Sequence, residues 1–250
     1  MYNSIHKNSS IFLFLIASFF IIPKQVKATH AAGGEITYQW ISGSTYRINF
    51  IFYRDCAGAG EPASVTLAYS SNCTPSFCST ITLNKAATTS SGAINGTEVS
   101  IGCPNSPSRC VSASSTIPGY REWVYTANVT LPNQCSIWKF YTCVNARNNA
   151  INNLVTPGNQ NLYVEATLNN LVAQGNSSPF FANKPTPYVC TGTPLNYSNV
   201  AIDPNNDSLV YDIIQPRTAN TATATCTTVP TNINFSSTIY NLTTNPLDCN

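Results

Sequence analysis

The chain has 250 residues, 12 Lys+Arg against 10 Asp+Glu, and only 9% charged residues, where an ordinary soluble domain carries about 25%. It contains no run of Lys or Arg, which argues against a nucleic-acid partner, because phosphate binding needs clustered cations. A 43% apolar content with a net charge of only +2 argues equally against charge-driven disorder.

The N-terminus reads as an export signal. His6 and Lys7 give a short polar start, residues 11–22 (IFLFLIASFFII) form an apolar run, and Pro23 ends it. A spanning helix needs about 20 apolar residues, so this run is a signal core and not a membrane anchor. Val26-Lys27-Ala28 supplies a small-residue cleavage signal, which predicts a signal peptide over 1–28 cut between Ala28 and Thr29. Cleavage removes Lys7, Lys24 and Lys27 and leaves 9 positive against 10 negative residues, a net charge of −1. The mature chain is expected at the cell surface or outside, with no transmembrane helix.

Behind the signal, apolar and polar residues alternate in short segments at 45–53, 63–69, 78–83, 97–101, 120–131, 136–143, 161–168, 194–202, 208–214 and 232–239. In 120–131, Trp123, Tyr125, Ala127, Val129 and Leu131 fall on one face and Glu122, Thr126 and Asn128 on the other, as a half-buried strand requires. Gly, Pro, Asn and Ser punctuate the gaps. The fold class expected is all-β, built of antiparallel sandwiches. A first sandwich over 29–178, a Pro-rich linker over 179–187 and a second, incomplete sandwich over 188–250 follow from the pattern, the last being shorter than the roughly 100 residues such a domain needs.

Ten cysteines in an exported chain predict disulfides. Cys135 and Cys143 flank a strand that extends roughly 26 Å, too far to bridge. Cys73 with Cys78 and Cys103 with Cys110 enclose Pro-containing loops and are the candidate pairs; Cys56, Cys135, Cys143, Cys190, Cys226 and Cys249 remain. Seven cysteines precede the linker and three follow it, so either a bridge crosses the boundary or partners lie beyond Asn250.

Catalytic signals are few. His30 is the one histidine outside the signal, and no GxSxG, HExxH or phosphate-loop pattern occurs, so no enzyme is expected. A carboxylate pair for glycoside hydrolysis remains open among Glu35, Asp55, Glu61, Glu98, Glu122 and Glu165. Asp203, Asn205 and Asp207 place oxygens at i, i+2 and i+4, a partial Ca²⁺ ligand set; the same residues also build a plain turn. Tyr38, Trp40, Tyr46, Tyr53, Trp123, Tyr125, Trp138 and Tyr141 offer flat rings for sugar binding, or else fill the core.

Several blocks carry a resemblance: Thr29-His30-Ala31-Ala32-Gly33-Gly34-Glu35 followed by Tyr53-Arg54-Asp55-Cys56, then Ala146-Arg147-Asn148-Asn149, Tyr163–Asn169, Asn176-Ser177-Ser178-Pro179-Phe180-Phe181, Pro187-Tyr188-Val189-Cys190 and Asp203–Tyr211. Together they resemble the opening of large secreted surface proteins of the Bacteroidota, which often end in a gliding-motility-associated C-terminal domain and carry Ig-like or PKD-type repeats. The resemblance implies type IX export and an adhesive or matrix role, with an Ig-like, cadherin-like or PKD-like unit over 188–250. Asp203–Tyr211 also resembles the calcium-binding strand opening of cadherin-like repeats, with Asn205 in place of an Asp and Asn206 in place of a Gly. Asp207-Ser208-Leu209 fits the pattern that this phylum O-glycosylates at Ser208. The expected function is non-enzymatic adhesion to surface glycans or proteins; the alternative is a secreted carbohydrate-binding module or part of a polysaccharide-acting enzyme.

Overall fold

In the computed structural model, residues 30–89, 91–99, 107–185 and 198–236 are described. The signal peptide, its Ala28–Thr29 cut, and Cys103, Cys190 and Cys249 lie outside them. Strands β1 (Ala31–Ser42), β2 (Thr45–Asp55), β3 (Ser64–Ser71), β4 (Phe77–Lys85), β5 (Tyr120–Thr130), β6 (Trp138–Val144) and β7 (Leu162–Leu168) form one sheet in the order β1-β2-β5-β4-β3-β6-β7. Every neighbouring pair is antiparallel.

The sheet bends where its ladder is thinnest. β4 and β5 pair only at Asn84↔Thr126 and Lys85↔Tyr125, so β1, β2 and β5 make one layer and β4, β3, β6 and β7 the other. The two layers close on each other in a sandwich-like arrangement, and Tyr38 Oη of β1 donates to the Thr167 carbonyl of β7 at 3.0 Å. Period-two alternation supplies the core: Ile48, Phe50 and Phe52 of β2 meet Tyr125 of β5, Leu67 of β3 and Trp138 and Phe140 of β6, all fully buried. Phe50 packs on Phe52 and Tyr125 at ring separations of 5.8 and 6.2 Å. The face expected of 120–131 is the buried one, with Trp123 and Ala127 partly covered. Glu122, on the opposite face, departs from the simple pattern because it is only 1% exposed.

Residues 198–236 do not close a core of their own among the described residues. Their strands are short: β9 (Ala201–Ile202) pairs with β8 (Phe180–Phe181), and β10 (Arg217–Ala219) with β11 (Pro230–Asn232). Ala219 and Ala224 instead bury against Ala68, Tyr141, Cys143 and Tyr163 on the outer face of the second layer. Tyr141 Oη donates to the Thr225 carbonyl at 3.1 Å, and Asn161 Nδ2 donates to the carbonyls of Ala219 and Thr221. The boundary read at 179–187 is therefore bridged by packing, because the outer face of a two-layer sandwich still carries apolar side chains that need cover.

The disulfides differ from the local pairs expected. The bridges are Cys56–Cys110, Cys73–Cys135 and Cys78–Cys226. Cys73 and Cys78 do not pair: Cys78 sits inside β4 opposite Ser70, while Cys73 lies in the turn and meets Cys135 on the neighbouring loop. Cys110 is held by Cys56, so Cys103 is not its partner. The third bridge crosses the 179–187 boundary, which answers the odd count on each side. Cys143 is free and buried, and burial pushes its thiol up to about 11, which keeps it protonated and inert.

Gly96 has φ +86°, and a Cβ there would lie 2.5 Å from Trp123 Cη2. Gly96→Ala is expected to cost about 1–3 kcal/mol in urea unfolding, since a left-handed backbone and a ring contact both oppose the methyl. Unchanged stability would show that the 91–97 loop relaxes freely.

Candidate functional site

The outer face of the first layer is polar and set in register. Thr37 of β1, Asn49 of β2 and Thr126 of β5 lie side by side, and so do Gln39, Arg47 and Asn128 one step along. Glu35, Ile51 and Val124 form a third row at the other end. Rows repeat about every 6.8 Å and strands about every 4.8 Å, so these side chains form a grid, and it floors a cleft of about 760 Å³.

One end of the cleft is closed. Residues 86–89 and 91–97 lie beside Ile51 and Val124, each 5% exposed. Asn95 acts as the clasp: its Oδ1 accepts from Val124 N at 2.8 Å, and its Nδ2 donates to the carbonyls of Ala86 and Val124 at 2.8 and 2.9 Å. The second wall comes from residues 177–181 with Pro204. Ser178 Oγ accepts from Tyr38 N at 2.9 Å and Ser177 Oγ from Trp40 N at 3.1 Å, so this segment satisfies the outer edge of β1. It also carries Phe180 and Phe181 to the rim, 40% and 50% exposed.

Among the described residues, the side chains of Thr37, Gln39, Arg47, Asn49 and Asn128 make no hydrogen bond or ion pair within the chain. Thr126 Oγ1 donates to the Ile48 carbonyl at 3.2 Å and keeps its lone pairs free to accept. Among the described residues, Glu35 is the one carboxyl lining the cleft. Burial, with Glu122 nearby adding repulsion, pushes its pKa up to about 7. Glu122 itself is held by Lys184 Nζ at 2.5 Å.

Comparison of the chain with protein-family models, with curated proteins and with solved structures returned no match. The cleft must therefore be read from its own chemistry.

Of the carboxylates left open by the sequence, Glu35 and Glu122 lie close enough to repel each other, with Glu122 paired to Lys184, while the other four disperse. Glu61 pairs with Lys85 at 2.8 Å, and Glu165 with Arg217 at 2.6 Å and Lys139 at 3.3 Å. Asp55 Oδ2 accepts from Asn148 Nδ2 at 2.5 Å, and Glu98 accepts from Ser108 Oγ. His30 is 5% exposed and stands edge-on to Phe52 at 5.5 Å, far from the grid in register. Its neighbourhood joins three of the sequence blocks: His30 N and Ala31 N donate to the Ala146 carbonyl, and Asn148 reaches Asp55. That junction ties residues 30–31 to the β6–β7 connection.

Asp203, Asn205 and Asp207 form a turn in which one oxygen each of Asp203 and Asn205 is engaged. Asp203 Oδ1 accepts from Asn205 N at 2.7 Å and Asp207 N at 3.2 Å, and Asn205 Oδ1 accepts from Ser177 N at 2.8 Å. Among the described residues, no group of three His, Cys, Asp or Glu side chains is placed to hold a metal. Asp203, Asn205 and Asp207 supply two carboxylates and one amide, a partial ligand set for the roughly six to eight oxygens that Ca²⁺ takes. Ser208 beside this turn is exposed.

The aromatic platform does not form either. Tyr38, Tyr46, Tyr125, Trp138 and Tyr141 are buried, Trp123 lies under Lys85 at 4.5 Å, Tyr53 is half-buried, and Trp40 donates Nε1 to the Gly43 carbonyl. The rings that do face solvent at the cleft are Phe180 and Phe181. The residues missed by sequence reasoning are Thr37, Gln39, Arg47 and Asn49. Their signal was the parity of 35/37/39 and 47/49/51, which becomes a surface only once the register is known.

Proposed function

We propose that this chain is an exported surface module that acts by recognition and adhesion, without catalysis. The cleft carries this reading: an in-register floor of hydroxyl and amide groups, most of them without internal partners, is suited to binding. Three disulfides and, among the described residues, no helix long and apolar enough to cross a membrane are compatible with an extracellular location. The resemblance of the sequence blocks to gliding-motility-associated surface proteins supports type IX export and an adhesive role. O-glycosylation at the exposed Ser208 and a cation at Asp203, Asn205 and Asp207 belong to the same reading.

Two measurements test it. An antibody to the chain should label intact cells, and beads coated with the oxidised chain should adhere to extracellular-matrix material. Asn49→Trp, which fills the floor of the cleft, should remove at least nine-tenths of that adhesion without moving the melting temperature. Labelling only after cell lysis, or equal adhesion by the filled variant, would overturn the proposal.

A further inference from the structure

We propose that the cleft binds a neutral oligosaccharide laid along the β1-β2-β5 floor, with a sugar face against Phe180 and Phe181. This rests on the recognition reading above and names its ligand class. A sugar hydroxyl is donor and acceptor at once, and so are most floor groups: Thr37 offers a hydroxyl and Asn49, Asn128 and Gln39 offer amides with both roles, while Thr126, donating to Ile48, offers an acceptor. A grid of such groups, with rows and columns about 5 to 7 Å apart, can satisfy several hydroxyls on successive rings. The cleft volume, about 760 Å³, lies within the range of ligand sites, roughly 300–1,000 Å³.

Other ligand classes fit less well. An extended peptide would add to the free edge of β1, but Ser177 and Ser178 already take Tyr38 N and Trp40 N, and Ser178 N donates to the Tyr38 carbonyl at 2.8 Å. A polyanion needs several cations, and among the described residues the cleft lining has Arg47 alone, with Glu35 in the same space. A lipid chain needs an apolar lining, whereas the middle and open rows are wholly polar. Phe180 and Phe181 supply the apolar wall against which the C–H face of a sugar packs, and their partial exposure leaves that face available.

The probe is an array of neutral hexose and N-acetylhexosamine oligosaccharides, with uronate-bearing and sulfated chains alongside, read with the full oxidised chain and followed by titration of the strongest binder. Saturable binding to one neutral class is expected. Asn49→Ala and the exposed Gln39→Ala should each weaken it at least tenfold, and Phe180→Ala at least threefold, with melting temperatures unchanged. If Asn49→Ala lowers the melting temperature, Gln39→Ala decides. Bead adhesion that persists while no neutral oligosaccharide binds would overturn the carbohydrate assignment and leave the adhesive reading standing. Preferential binding of sulfated chains that high salt abolishes would also overturn it. Absence of both adhesion and glycan binding would overturn the two together.

Discussion

Replacing Cys78 and Cys226 together by serine is expected to free residues 215–236 from the outer face of the second layer. The bridge spans 148 residues of sequence, for which the chain-entropy account assigns about 5 kcal/mol. The other two bridges already shorten the loop it closes, so a loss of about 3–5 kcal/mol is the expected range. What else holds the segment is modest: β10 and β11 have three residues each, and Ala219 and Ala224 bury little apolar area apiece. The Arg217–Glu165 pair at 2.6 Å is partly exposed and adds little. Cys143 reports the outcome directly, because it is 4% exposed beneath this segment. Peptide mapping after thiol labelling should find Cys143 unmodified in the native protein and labelled in the C78S/C226S variant, with a lower urea midpoint. A protected Cys143 with a midpoint change under about 1 kcal/mol would show that packing alone holds the segment.

Glu35 sets the second large effect. Its carboxyl has an ordinary value of 4.5 and is raised to about 7 in the folded chain, first by burial and then by Glu122. The folded state therefore holds a proton that the unfolded chain releases, and stability falls as pH rises from about 4.5 to about 7. The full loss corresponds to about 3 kcal/mol and is complete above pH 7, where the buried group is ionised in both states. Lys184, paired with Glu122, and Arg47 along the cleft are the nearby cations. Glu35→Gln removes the slope, so the variant should be more stable than the parent by about 3 kcal/mol at pH 8 and nearly equal to it at pH 4.5. Parallel stability curves for the two proteins between these pH values would refute this account.

The fold was legible where alternation is clean. TYRINFIFY and YREWVYTANVTL each place bulky residues at every second position, and both became long neighbouring strands of one layer. β1 escaped that pattern because Gly33 and Gly34 interrupt it. The register shifts between Ala31 and Gly33, and Gly34 leaves room for the Phe50 ring and the Ile51 carbonyl, 2.9 Å from where its Cβ would stand. SLVYDII at 208–214 errs the other way: its residues alternate, yet it carries no strand among the described residues, since a strand needs a partner ladder as well as a pattern.

The candidate site was only half legible. Thr126 and Asn128 read as a polar face and Glu35 as a carboxyl worth following, but nothing in one dimension aligns Thr37 with Asn49 and Asn49 with Thr126. The NSSPFF block stood out as a motif without a task; its serines cap the edge of β1 and its phenylalanines rim the cleft.

Composition, the period-two pattern and the count of cysteines determined by themselves an all-β, disulfide-stapled chain of low charge. These properties depend on each residue's own preference for water, for extended backbone or for oxidation, and they need no knowledge of neighbours in space. Tertiary structure alone decided which cysteines meet, where residues 215–236 lie and which polar side chains share a surface. Each of those depends on strand register and on the bend between β4 and β5, and these are settled by the packing of residues far apart in the chain.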